Sequence, residues 1–163
     1  MSMARLDLTV TLSVLDRLID REPKSQVEAP LGRAQSERML KAAVQRDLEW
    51  LLNTRRIFEE PDEALKEVNR SVYNYGLPDF SQYTMVSAGD QTRLLRQVVT
   101  AIKAFEPRLA NVRVIPIESA VIQQFHVRIE AMLLMDPSPQ PVSFDTVIGL
   151  KSGTTRITGG PSA

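Results

Sequence analysis

The chain has 163 residues, the length of one ordinary domain, and 43% of them are hydrophobic, enough for a core that needs no disulfide or metal. Its 20 basic and 20 acidic side chains cancel, which argues against general nucleic-acid binding and leaves little net repulsion to keep copies apart, so partners are expected to matter. With no cysteine, disulfide scaffolds, thiol catalysis and zinc-thiolate sites are excluded.

No stretch approaches the roughly 18 apolar residues of a membrane-spanning helix. Asp7, Asp16 and Asp20 interrupt the N-terminus where a signal peptide would be apolar. The expectation is a cytoplasmic protein without membrane insertion. Residues 6–20 alternate at first like a strand, then fit one or two helical turns over Val14 to Ile19. Pro23, Pro30 and Gly32 mark a loop or arm. Residues 1–35 are taken as an N-terminal arm, the least ordered part, and 36–163 as a single domain.

A long helix is expected from Ser36, as N-cap, to near Asn53–Arg56, with Leu40, Val44, Leu48 and Leu51 along its buried face and Trp50 as a core anchor. Pro61-Asp62-Glu63 would start a short helix burying Leu65 and Val68. Residues 71–80, with Gly76, Pro78 and Asp79 at turn positions, suit a packed, ordered loop. A second helix starts at a capping box or Asp cap in Ser87–Asp90. It carries Leu94, Leu95, Val98, Val99, Ile102 and Phe105 on one face and stops at Pro107.

The period then switches to two. Asn111–Ile117 forms a short strand, with Pro116 suited to an edge. In the next strand Val121, Phe125, Val127, Ile129, Ala131, Leu133 and Met135 share one face, and Gln124, His126, Arg128 and Glu130 the other. A turn at Asp136–Pro141 leads to Val142, Phe144, Thr146, Ile148 and Leu150, and the segment from Thr154 to Thr158 is a further extended candidate. The fold class is therefore α+β: a small, largely antiparallel sheet in the C-terminal half, covered by two amphipathic helices.

Most chemistry fails for want of residues. His126 is the lone histidine and sits mid-strand, which suits a half-exposed sheet residue better than a base or ligand. No phosphate-binding glycine loop and no carboxylate metal motif is present, and no cofactor is implied. A glycosidase needs two carboxylates across a cleft. Asp47, Glu49, Glu59, Glu106 and Glu130 are nominal candidates with no reason to pair.

Glu106-Pro107-Arg108 breaks local rules. A carboxylate at a helix C-terminus opposes the dipole, and proline displaces the residue before it from helical geometry. The result is a rigid corner carrying both charges. Two readings stay open on propensity alone. Either Arg108 bonds the last helix carbonyls while Glu106 pairs with it or with another arginine, or the corner meets a partner.

The residues Ser13–Pro23, Arg46–Arg55, Ser71–Asp79, Phe105–Leu109 and Val142–Thr146, in this order and spacing, resemble the TssE group of type VI secretion baseplate subunits. That group lies within the lysozyme-like baseplate-wedge family of contractile phages. The resemblance spans nearly the whole chain, apart from the Gly-rich tail. It implies a non-catalytic structural part of a baseplate at the cytoplasmic face of the inner membrane, joining the wedge to the first ring of the contractile sheath. The implied partners are baseplate wedge proteins and sheath subunits, the latter adding strands to the sheet, with no nucleic acid or small-molecule substrate. It also implies that Glu106, Pro107 and Arg108 dock on the wedge core, which tilts the open question toward a partner site. On that reading Glu106 and Arg108 are accessible, and Glu106→Ala or Arg108→Ala leaves the isolated fold intact. The alternative is a peptidoglycan hydrolase, as the lysozyme-like name suggests; a third possibility is a regulatory binder acting without sheath.

Overall fold

The computed structural model describes residues 10, 12–19, 32–57, 61–62, 64–83, 87–118, 124–150 and 152–159. The expectations for Leu6 and Leu8, for the arm around Pro23 and Pro30, and for Glu59, Glu63, Val121 and the tail after Gly159 lie outside these residues. In chain order the elements are α1 (Val14–Leu18), α2 (Arg33–Asn53), α3 (Lys66–Asn69), a 3-10 turn (Val72–Asn74), α4 (Ala88–Phe105), β1 (Leu109–Ile117), β2 (Gln124–Leu133), β3 (Gln140–Gly149) and β4 (Thr155–Gly159).

The α+β expectation holds. The four strands form one antiparallel sheet in the order β1-β2-β3-β4, each paired with its sequence neighbour. Period-two burial along β2 sends Phe125, Val127, Ile129, Ala131 and Leu133 inward and leaves Gln124, His126, Arg128 and Glu130 on the other face. Asn111, at φ 54°, marks a register shift between Ala110 and Arg113 in β1. Val44, Leu48 and Leu52 of α2, with Leu94, Val98 and Ile102 of α4, close over the apolar face. Fully burying each such side chain stabilises by about 1.5–3 kcal/mol.

Helix α2 begins earlier than its sequence suggests. Gly32 is the N-cap, with no side-chain cap bond, and Arg33 holds Glu37 at 2.9 Å one turn on. Ser36 lies inside the helix and is fully buried. Its hydroxyl donates to the Arg33 carbonyl at 2.8 Å and accepts the Val10 amide at 3.2 Å. That bond brings Val10 into the core beside Leu12. The division between residues 35 and 36 therefore falls inside a helix. Trp50, expected in the core, is 53% exposed: Leu48, Leu51 and Leu52 around it take the buried positions. Leu65 is also exposed, because the chain turns on Asp62 and α3 starts only at Lys66. There the Asp62 carboxylate accepts the Ala64 amide at 2.8 Å.

The outer edge of β4 is covered by α2. Gln45 donates to the Ile157 carbonyl at 2.9 Å, and Glu49 accepts the Ile157 amide at 2.8 Å. Asn53 donates to the Thr155 carbonyl at 2.8 Å and accepts its amide at 2.7 Å. Four helical residues advance about 6 Å and two strand residues about 6.6 Å, so side chains four apart on α2 reach alternate residues of the strand. Among the described residues nothing hydrogen-bonds the outer edge of β1 over its last residues, where Ile115, Pro116 and Ile117 are exposed.

Candidate functional site

The last turn of α4 ends with the Glu106 amide donating to the Ile102 carbonyl at 2.8 Å. Glu106 itself leaves helical geometry at φ −121° and ψ 77°, as the following proline requires. The Leu109 amide then donates to the Glu106 carbonyl at 3.1 Å, and the Leu134 amide donates to the Arg108 carbonyl at 2.8 Å. The corner is thereby tied both to the helix end and to the sheet.

Its charges turn inward. Arg108 grips Glu106 with Nε to Oε1 at 2.6 Å and Nη2 to Oε2 at 2.5 Å, and its amide reaches Oε1 at 3.3 Å. Glu106 is only 4% exposed, so the expectation of an accessible carboxylate fails. Arg108 is partly buried, and Pro107 is the exposed member of the three. Of the two readings left open, the pairing of Glu106 with Arg108 is present; among the described residues the Arg108 side chain bonds carboxylates, not helix carbonyls. The physical reason is local: a carboxylate at a helix C-terminus needs a nearby cation to offset the dipole, and the residue after Pro107 supplies it.

The pair is the end of a longer chain of charges. Arg108 Nη2 also donates to Asp47 Oδ2 at 2.6 Å. Asp47 Oδ1 accepts Arg46 Nε at 2.9 Å. Arg46 Nη1 donates to Asp16 Oδ1 at 2.6 Å, and Ser13 Oγ donates to Asp16 Oδ2 at 2.5 Å. Arg46 lies 4.9 Å from the centre of the Trp50 ring. Tyr75 meets Phe105 edge-on with ring centres 5.2 Å apart. Burial, reinforced by Asp47 and Glu106, pushes the Tyr75 phenol up. The Glu106 hydrogen bonds, then Asp47, hold the Arg108 guanidinium firmly protonated against its burial.

Sequence reasoning identified Glu106, Pro107 and Arg108 and named Asp47 only as one of five carboxylates with no reason to pair; it did not single out Ser13, Asp16, Arg46 or Tyr75. The signal was present: each lies in one of the stretches that carry the family resemblance. Four of those stretches meet around this corner. The fifth does not: Asp145 of Val142–Thr146 instead pairs with Arg128 at 2.7 Å across β2 and β3.

Asp16 gives the network a pH dependence. The Arg46 hydrogen bond, helped by Ser13, holds its carboxyl below the usual range although burial opposes this. A depressed folded value means stabilisation that is complete above the ordinary carboxylate value of about 4 and is lost as pH falls through the folded value. Trp50 is the sole tryptophan, so its emission should shift in an acid titration with a midpoint below about 4. Asp16→Asn should abolish that transition; a transition unchanged in the variant would show that Arg46 does not answer to Asp16.

The fold is thus an α+β unit in which a self-paired charged corner joins α4 to the first strand of the sheet. The pattern described as baseplate wedge protein gp25 matches residues 38–138, and the chain belongs to that family. Curated proteins and solved structures give no match. The matched span holds Arg46, Asp47, Tyr75, Glu106 and Arg108 and ends before β3. Family membership gives the protein a structural role in a baseplate, with baseplate proteins as partners. Among the described residues no helix is long and apolar enough to cross a membrane.

Proposed function

We propose that the chain is a non-catalytic adaptor of a type VI secretion baseplate, joining the wedge to the first ring of the contractile sheath on the cytoplasmic side of the inner membrane. The family match across the charged corner carries this reading. On it, the corner fixes how α4, the sheet and α2 meet, and so sets the shape offered to the wedge core. Sheath strands would add at β1, whose exposed end from Ile115 to Ile117 is not hydrogen-bonded on its outer side by any described residue, because α2 already satisfies the edge of β4. Several copies around one tube would convert modest contacts into firm attachment.

The competing reading, peptidoglycan hydrolysis, would have to use carboxylates outside this network. A glycosidase needs two carboxylates facing a substrate across a cleft, whereas Asp16 is clasped by Arg46, and Asp47 and Glu106 are each mated to arginine. The test is a deletion strain in which labelled sheath and wedge proteins are followed. Wedge complexes should persist while extended sheaths disappear, and the purified chain should release no fragments from cell wall. Normal sheath numbers without the chain would overturn the adaptor role.

A further inference from the structure

Helix α4 turns a basic stripe to solvent. Arg93, Arg96 and Lys103 are exposed, as is Thr100 between them. At about 3.6 residues per turn, positions 93, 96, 100 and 103 fall on one face, opposite the Leu94, Val98 and Ile102 side chains in the core. The three cations span about 15 Å of the helix axis. Among the described residues none of them has an ion-pair or hydrogen-bond partner. Elsewhere on the surface Arg33 meets Glu37, and Arg128 meets Asp145. Here no acid is at hand: the chain has none between Gln91 and Phe105, and Glu106 is buried against Arg108. Like charges one turn apart repel, so the free helix gains nothing from the arrangement. The N-terminal half of the stripe also borders an open depression of about 660 Å³, lined by Ala88, Gly89, Thr92, Arg93, Arg96 and Gln97.

We propose that this face of α4 docks an acidic segment of another baseplate protein, whose carboxylates meet Arg93, Arg96 and Lys103. The inference needs only the baseplate partners that family membership gives; it is independent of the sheath-joining role and of the Glu106–Arg108 corner. Charge complementarity selects the occupant. Steps of three and seven residues set the cations about 4.5 and 10.5 Å apart along the axis. A segment with two carboxylates close together and a third beyond them satisfies all three. A bilayer fits less well. Three cations alone hold a protein weakly to anionic headgroups, and α4 exposes no large apolar side chain to enter the lipid. A nucleic acid fits less well too, because the 20 basic and 20 acidic residues of the chain cancel and the positive charge is local to this face.

The test co-expresses the full chain with the wedge proteins of the same baseplate and measures their co-purification. The triple variant Arg93→Glu, Arg96→Glu, Lys103→Glu should fold as the wild type by circular dichroism and lower recovered wedge protein at least tenfold. Raising sodium chloride from about 0.15 M to about 0.5 M should weaken wild-type recovery several-fold, as screening of exposed charges requires. A carbodiimide, which condenses an amine with a carboxylate it touches, should join Lys103 to an acidic residue of a wedge protein. Lys103→Arg keeps the charge but removes the amine, so it should lose this cross-link and keep the recovery. Wild-type recovery with the triple variant would overturn the α4 surface and leave the adaptor role standing, since the wedge is then held elsewhere. No recovery of wedge proteins by the wild-type chain would remove both. A Lys103 cross-link to a second copy of this chain, with a dimer in light scattering that the triple variant splits, would overturn the proposal in favour of self-association. Sedimentation with phosphatidylglycerol vesicles that the triple variant loses, with wedge recovery unchanged, would overturn it in favour of a membrane surface.

Discussion

Arg108→Ala should destabilise the isolated chain by about 3–5 kcal/mol, the usual cost of stranding one member of a buried ion pair. Glu106 is 4% exposed and would lose both guanidinium bonds. It would remain at the C-terminus of α4, where the dipole disfavours an anion. Asp47 would lose one of its two arginines. Urea unfolding followed by circular dichroism reads the loss directly, and the melting temperature should fall on the order of 10 °C. Replacing both charges, as in Glu106→Gln with Arg108→Met, should cost less than the single change, since no ion is left without a mate. A single-variant loss below about 1 kcal/mol, the range of an exposed pair, would mean that Glu106 reaches water or another cation.

This result bears on how docking experiments are interpreted. An exposed corner would allow Arg108→Ala to remove a contact and nothing else. The buried corner does not: the same change loosens the fold and the network that leads to α1. Loss of wedge binding in that variant thus has two physical causes. Variants confined to exposed atoms separate them because they touch none of the bonds that hold the corner.

Local patterns made most of the fold legible. Period two gave the strands, period 3.6 gave α2 and α4, and Pro107 gave the helix stop. What local patterns could not show was which residues meet. Asp47 and Arg108 are 61 positions apart, and Asp16 and Arg46 are 30 apart. Asp16, Arg46 and Asp47, taken alone, look like ordinary solvated helix residues. Trp50 shows the same limit differently. Hydrophobic spacing placed it at the margin of the buried stripe, and only the packing of Leu48, Leu51 and Leu52 decides that its ring stays outside. The apolar positions of α1 were visible, but a stripe does not say whether the core covers it, and Val14 and Leu18 stay exposed. Gln45, Glu49 and Asn53 likewise have helical spacing, yet only the position of β4 turns them into an edge cover.

Gly76→Ala should cost about 2–4 kcal/mol, through backbone strain and a steric clash that strengthen each other. Gly76 sits at φ +107°, a conformation that side-chain-bearing residues rarely adopt. A Cβ there would also press on the carbonyl of Thr54, closer than real contacts allow. That carbonyl is not free to yield. It accepts the Leu77 amide at 2.9 Å, while the Arg56 amide donates to the Leu77 carbonyl at 3.0 Å, and Leu77 is fully buried. Residue 76 is therefore the point where the loop closes on the end of α2, and Tyr75 is carried onto Phe105 by the same closure. The variant should show its defect at that aromatic contact as well as in urea unfolding. In the wild type, burial near Asp47 and Glu106 makes Tyr75 a late-titrating tyrosine. In Gly76→Ala its ionisation, followed by ultraviolet absorbance, should move back toward the ordinary value of about 10. Wild-type stability with an unmoved Tyr75 titration would mean that the loop closes without this glycine, and that its turn does not set the position of the aromatic pair beside the corner.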